Sequence, residues 1–362
     1  MKLHQDFTGG NIELLRIEGS HIYLGNQLRD TAGDWFYWAF CVEGAEGMTL
    51  TFHFDPIRLG YFGPAVSHDL KEWHWLGSCD NAHTTFTYTF GEMETKVYFA
   101  HSMLYHPDRF LALLQKHSLK GQELCKSGKG RSVPCVTIGD GKTHIILAAR
   151  HHACESTGNY VLEGVLEELI RHPIPDTTVF CVPFVDYDGV VDGDQGKGRT
   201  PHDHNRDYDR ERASIYPTTA AIRAYAEQNG CLLGFDFHSP WHWGEQNDQV
   251  FIVQNSFERL HRLNAFGALL EKEVATTDGA YPYYHKNDFP YKKDWNQGGP
   301  TFAHFINTLP DSHLAFTLET AYFGTPATDG ASAVPVSATS LIALGTAFSR
   351  AIAHYLAEEA QG

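Results

Sequence analysis

THIILAARHHACES, residues 143 to 156, is the stretch on which the fold turns. An apolar run ends abruptly at His151, His152, Ala153, Cys154 and Glu155. A continuous apolar run of this length reads as a strand buried on both faces, the kind found in parallel α/β sheets. In open sheets of that class the chemistry sits in the crevice beyond the carboxyl ends of the strands. His152 and Glu155, three residues apart at such an end, are placed to share one metal ion. His151 is an equal competitor on position alone.

Working outward, the pattern supports such a sheet. STGNYVLEGVLEELI follows as an amphipathic helix and TTVFCVPF as another buried strand, with VPCVTI as a strand upstream. Beyond a polar, glycine-rich loop from residue 186 to 209 come a helix around 213–228, the strands LLGFDFH and QVFIVQ, and a helix near 256–273. The stretch 276–312 is irregular and holds Tyr281, Tyr283, Tyr284, Tyr291 and Trp295, which suggests a functional loop region. The strand LAFTLET and a helix near 339–358 close the chain. Strands alternating with helices imply a largely parallel sheet. In the other direction, HPDRFLALLQKHSLKG has a helical spacing of apolar residues with Pro107 near its start and Gly121 at its end. Before it lie short β-branched and aromatic runs (IELLRI, HIYL, WFYWAFCV, MTLTFHF, TTFTYTF, KVYFAHS) separated by Gly, Asp and Asn turns, the signature of an all-β sandwich. The expected organisation is a sandwich domain over residues 1–104 and a catalytic α/β domain over 105–362. Trp35, Trp38, Trp73 and Trp75 could form a carbohydrate or peptide platform, but aromatic residues of a β-sandwich are mostly core, and the core is where they are expected.

Twenty-eight Lys and Arg against 44 Asp and Glu give a formal charge of −16, which argues against a polyanionic partner such as nucleic acid. No secretory signal and no run of about 18 apolar residues is found, so a soluble, cytoplasmic protein without a membrane partner is expected. Seven cysteines with no CxxC pair read as reduced thiols. With 22 histidines in the chain, no single His is informative without context.

Context is what separates two HxxE pairs. His152 and Glu155 follow a buried strand and open a helix, whereas His242 and Glu245 lie in the Trp-rich segment after Pro240. A catalytic zinc takes three protein ligands and keeps one position open. His238, at the end of LLGFDFH, is the candidate third ligand. Glu319, in the apolar strand LAFTLET, is costly to bury without a purpose, and a general base is such a purpose. Between these lies DYDGVVDGDQGKGRTPHDHNRDYD. Arg206 can grip a carboxylate bidentately with Asn205 donating beside it, and Lys197 or Arg199 can stabilise an oxyanion. Taken alone, PHDHNRDYD reads equally well as a polar loop or an accessory His-rich metal site.

The ordered set HHACES, DYDGVV, DHNR, DFH and TLET resembles the zinc metallocarboxypeptidases, most closely the cytosolic carboxypeptidase-like branch. FTGGNIELL, WFYWAF and YFAHSMLYHPDRFLALL extend the likeness to that branch's N-terminal sandwich and its junction. The resemblance implies a mixed eight-stranded sheet flanked by helices and preceded by a small sandwich. It implies Zn2+ held by His152, Glu155 and His238, with Asp203 supporting the first of these histidines from behind. Asn205 and Arg206 would grip the terminal carboxylate of a peptide or peptide-like substrate, and Glu319 would be the general base. The usual place of the oxyanion arginine falls on Gly196, and Arg199 is taken as its substitute with Lys197 as neighbour. The branch's NPDG is Asp186, Tyr187, Asp188, Gly189 here. The segment that carries an arginine for acidic side chains in tubulin-deglutamylating relatives has Thr301, Phe302 and Ala303. A tyrosine commonly closes over the substrate in this family, and the four tyrosines of 276–312 are the candidates. The expected function is removal of a C-terminal residue. The competing expectations are a zinc amidohydrolase acting on N-acyl amino acids and a non-catalytic binding protein.

Overall fold

Alternate residues of the strand Thr143–Ala149 enter two different cores, which is why Ile145 to Ala149 are all apolar. Ile145, Leu147 and Ala149 pack into the larger core, and Ile146 and Ala148 into the one on the opposite face. The structure, a computed structural model, describes residues 1–77, 79–328 and 330–359. The sheet around this strand runs Gln122–Lys126, Ser132–Ile138, Thr177–Val182, Thr143–Ala149, Leu233–His238, Leu314–Glu319, Phe251–Val253. The four middle strands are parallel and the flanking ones antiparallel. The register sets His238 opposite Glu319 and Ala149 opposite Phe237, so three strand ends meet at one edge.

Seven strands rather than eight form a continuous ladder among the described residues. The eighth position is taken by the segment 283–289, which bridges the outermost strand in parallel at Val250–Tyr283 and Val253–Phe289. A 3-10 turn at His285–Asn287 lies between the two bridges and interrupts the ladder.

Helices Thr157–Arg171, Leu260–Thr276 and Ala338–Glu359 cover one face of the sheet, and Pro217–Asn229 and Phe302–Asn307 the other. Thr157–Arg171 and Ala338–Glu359 touch backbone to backbone. A Cβ at Gly164 would lie 1.9 Å from the Ile342 carbonyl oxygen, and one at Gly345 2.0 Å from that of Val161. Glycine is required at both for the helices to approach so closely.

The N-terminal strands form two sheets, five-stranded and four-stranded, around a core that includes Trp38, Phe40, Phe52, Phe86 and Phe99. This is the expected sandwich. Three short strands, Lys2–His4, Ala65–Ser67 and His74–Trp75, lack the length to show as a pattern in sequence. Trp38 is a core residue as expected, but Trp35, Trp73 and Trp75 are only partly buried. The segment 186–209 is not all loop. Tyr187–Asp192 is a short helix, capped by the Asp186 carboxylate accepting from the Gly189 N–H and stopped by Gly193 at φ 75°. All seven cysteines are free, and among the described residues no helix is long and apolar enough to cross a membrane.

Candidate metal centre and its pocket

Arg150 turns the chain at the end of its strand. Its φ is 61°, and its buried guanidinium donates to the Ala153 carbonyl and approaches the Tyr105 carbonyl and Asn159 Oδ1. Ser156 donates to the Met103 carbonyl at 2.6 Å, which ties the same turn to the segment leaving the sandwich. The turn is thus fixed from within and from outside.

Three side chains converge on one point. The ligand atoms of His152, Glu155 and His238 lie within 4.8 Å of one another, and all three residues are buried. Glu155 sits between the imidazoles, 2.9 Å from His152 Nδ1 and 2.7 Å from His238 Nδ1. Behind the ring of ligands each histidine meets another carboxylate: His238 Nε2 is 2.6 Å from Asp236 Oδ2, and His152 Nε2 is 3.7 Å from Asp203 Oδ1. The Asp236 contact is a hydrogen bond that fixes the His238 ring, the Asp203 contact is electrostatic, and both leave Nδ1 as the inward atom. His151 bonds outward, to Asp236 at 2.8 Å and to the Tyr208 hydroxyl at 2.8 Å. Cys154 turns away to Tyr322, and His242 stacks on Phe36, away from the cluster.

The donor set fits a divalent cation such as zinc on two grounds. Two imidazole nitrogens and a carboxylate are the ligands borderline-soft divalent metals take. The charges also call for a cation. Burial opposes ionisation of Glu155, yet His152, Lys197 and His238 hold its carboxyl well below the usual range. Burial likewise opposes charging His238, yet Asp236 and Glu155 raise it well above an ordinary imidazole. A metal ion held there would supply the positive charge that these carboxylates favour.

Glu319 stands beside this cluster, buried, with no hydrogen-bond partner for Oε2 among the described residues. Burial first, and the charge of Glu155 second, push its carboxyl up to about 7. It shares a pocket of about 270 Å³ with His152, His238, Lys197, Asp203, Asn205 and Arg206. Asn205 is buried and its Oδ1 accepts from the Phe302 N–H at 3.1 Å, which leaves the amide nitrogen as the free end. Arg206 is exposed, and its one described hydrogen bond is a long one, 3.4 Å, to the Asn205 carbonyl.

Arg199 departs from the expectation. Its guanidinium is held by Asp30 at 3.1 Å, Asp186 at 2.7 Å and Asp194 at 3.1 Å, and it does not line this pocket. Lys197 does line it, with Nζ 2.5 Å from Glu155 Oε1. The physical reason lies in the sandwich. Asp30 accepts from the backbone N–H groups of Gln195 and Gly196, and Arg29 pairs with Asp194, so the loop is pinned with Arg199 outward and Lys197 inward. None of the four candidate tyrosines lines the pocket. Tyr281 and Tyr283 are buried, the latter donating to Asp288, and the pocket's aromatic lining is Trp35 and Trp295. Asp236 and Asp30 escaped the sequence reading, which places Trp35 in the sandwich core. Only Asp236 left a signal, the D-x-H spacing that sets it on the same strand face as His238.

No protein-family model matches the chain. An uncharacterised protein of Zymomonas mobilis is 26% identical over 337 residues, 88% of this chain and 86% of that one. Cytosolic carboxypeptidase 2 of Xenopus tropicalis is 27% identical over 181 residues, 42% of this chain, and the match spans only 19% of that protein. A metallo-carboxypeptidase from Pseudomonas aeruginosa, solved with (2-guanidinoethylmercapto)succinic acid, superposes with a TM-score of 0.78 at 21% identity, over 99% of this chain and all of that one. At that identity the superposition speaks for the fold. The resemblance to the metallo-carboxypeptidases, with the cytosolic branch among the relatives in sequence, holds on both counts.

Proposed function

We propose that this protein is a zinc-dependent metallocarboxypeptidase that hydrolyses the last amide bond of a peptide or peptide-like substrate in the cytoplasm. The observation that carries the reading is the meeting of His152, Glu155 and His238 at strand ends, with His152, His238 and Glu319 lining the pocket that also holds Asn205 and Arg206. When bound by the two histidines and Glu155, a divalent metal supplies Lewis-acid charge that polarises a carbonyl and makes a water more acidic.

The chain's own residues do the rest. Arg206 and the Asn205 amide hold the substrate's terminal carboxylate, which fixes the position of the amide one residue away. Glu319, with Oε2 unpartnered and its carboxyl near neutrality, takes a proton from the attacking water. The Lys197 ammonium, already inside the pocket, faces the oxygen that gains charge as the carbonyl becomes tetrahedral. As the C–N bond breaks, Glu319 returns the proton to the leaving amine. The products are a free amino acid and a peptide one residue shorter. Asp236 keeps the His238 imidazole from rotating, and Asp203 places a negative charge behind that of His152.

Glu319→Gln keeps the shape of the pocket and removes the proton acceptor. It is expected to bind one equivalent of zinc, like the wild type, while losing at least roughly a hundredfold in the rate of C-terminal trimming. Trimming at the wild-type rate by this variant would remove the base from the reading.

A further inference from the structure

We propose that Trp35, contributed by the N-terminal sandwich, is a specificity-determining wall for the substrate residue on the amino side of the scissile bond, and that it selects a large apolar or aromatic side chain there. The inference rests on the peptidase reading above. It gives the sandwich a direct part in choosing substrates.

Trp35 lies outside the sandwich core, in the segment before the strand Ala39–Glu43, and lines the same pocket as His152, Lys197 and Glu319. The Lys197 ammonium is 4.9 Å from the centre of its ring. With the terminal carboxylate on Asn205 and Arg206 and the attacked carbonyl beside Lys197, the next group along the peptide meets the indole. The ring is braced for contact. Trp241, three residues beyond His238 and half exposed, packs against it edge-on with centroids 4.9 Å apart. On its other edge, Gly198 approaches so closely that a Cβ there would stand 3.2 Å from the indole nitrogen, and Gly198 has a φ of +63°. Glycine at that position suits both the left-handed backbone and the close approach of the loop bearing Lys197 to Thr31 and the ring.

A fixed, partly exposed indole face rewards a ring or branched aliphatic side chain with dispersion and stacking, and offers little to glycine or alanine. The two tryptophans come from different parts of the chain, one from the sandwich and one from beyond a metal-ligand strand. The subsite therefore exists only where the two meet.

The test uses the full-length, zinc-loaded protein and two peptides that differ only at the residue before the last, phenylalanine in one and alanine in the other. The wild type is expected to favour the phenylalanine peptide by about tenfold in kcat/KM. Trp35→Ala should collapse that ratio to within about twofold, through loss on the phenylalanine peptide, and Trp35→Phe should restore most of it. Trp35→Leu, which keeps apolar bulk against Phe36, is read in parallel so that an unstable alanine variant does not decide the matter. It is expected to retain an intermediate ratio. A ratio unchanged in both the alanine and leucine variants overturns the assignment of Trp35. Equal cleavage of both peptides by the wild type overturns the subsite alone, whereas cleavage of neither overturns the peptidase reading and the subsite with it.

Discussion

Asp236 carries more of the metal centre than its distance from any substrate suggests, and Asp236→Asn measures how much. The carboxylate is fully buried and accepts from two imidazoles, at 2.8 Å from His151 and 2.6 Å from His238. These partners hold its carboxyl well below the usual range against the cost of burial. An amide has the same shape but one acceptor and one donor. Its nitrogen must face one of the two histidines. If it faces His238, the proton there moves to Nδ1, the atom that points at Glu155 and the metal position. If it faces His151, the Tyr208 contact must be re-made instead, and His238 keeps only a neutral acceptor behind it. Loss of such an outer carboxylate typically weakens metal binding by about 10- to 100-fold, or roughly 1.4 to 2.7 kcal/mol. Competition for zinc against a chromophoric chelator at pH 7 reads this directly, with circular dichroism to establish that the variant is folded. A folded Asp236→Asn protein that binds zinc within about threefold of the wild type would refute the reasoning.

Other substitutions separate pocket from scaffold. Lys197→Met should reduce kcat by about 100- to 1000-fold with the fold intact. Arg199→Met should chiefly lower stability, by about 3 kcal/mol, because it strands three partly or fully buried carboxylates. Parallel kinetics and denaturant titrations decide, and the opposite assignment of effects would restore Arg199 to the reaction. A pH effect is expected from a carboxyl that does not line the pocket. Burial pushes the Asp288 carboxyl up to about 6, against bonds from the Ile252 N–H, His285 and Tyr283. Because its folded pKa exceeds the unfolded value of about 3.9, the folded state holds this proton more tightly. Its contribution is fully present below about pH 4 and is lost as pH rises through about 6. Asp288→Asn should therefore lessen the fall in denaturant midpoint between pH 4 and pH 7, and an unchanged slope counts against this account.

The parts of the fold that were legible are those whose pattern is local. Thr143–Ala149 and Leu233–His238 are buried on both faces and therefore largely apolar, and the first leads straight to His152 while the second ends on His238. The helix Tyr187–Asp192 was hidden because six residues show no periodicity and its Asp186 cap looks like any loop aspartate. The eighth strand failed for the opposite reason, since a turn at His285–Asn287 breaks a ladder that the apolar residues around it still support. Choosing Lys197 over Arg199 required knowledge of Asp30, about 170 residues away, and no local signal carries a contact of that range. Trp35 was hidden likewise: an aromatic residue in a β-rich segment reads as core until a second part of the chain is laid against it.

The most direct test of the central claim uses one peptide in two forms, with a free terminal carboxylate and with that carboxylate amidated, each incubated with zinc-loaded protein and followed by mass spectrometry. The account expects the free-acid peptide to lose its last residue, the amidated one to be left intact, and activity to vanish when a chelator removes the metal. Trimming of both forms at equal rates would contradict the part given to Asn205 and Arg206, and trimming of neither, with release of acyl groups from N-acyl amino acids instead, would contradict the peptidase assignment itself.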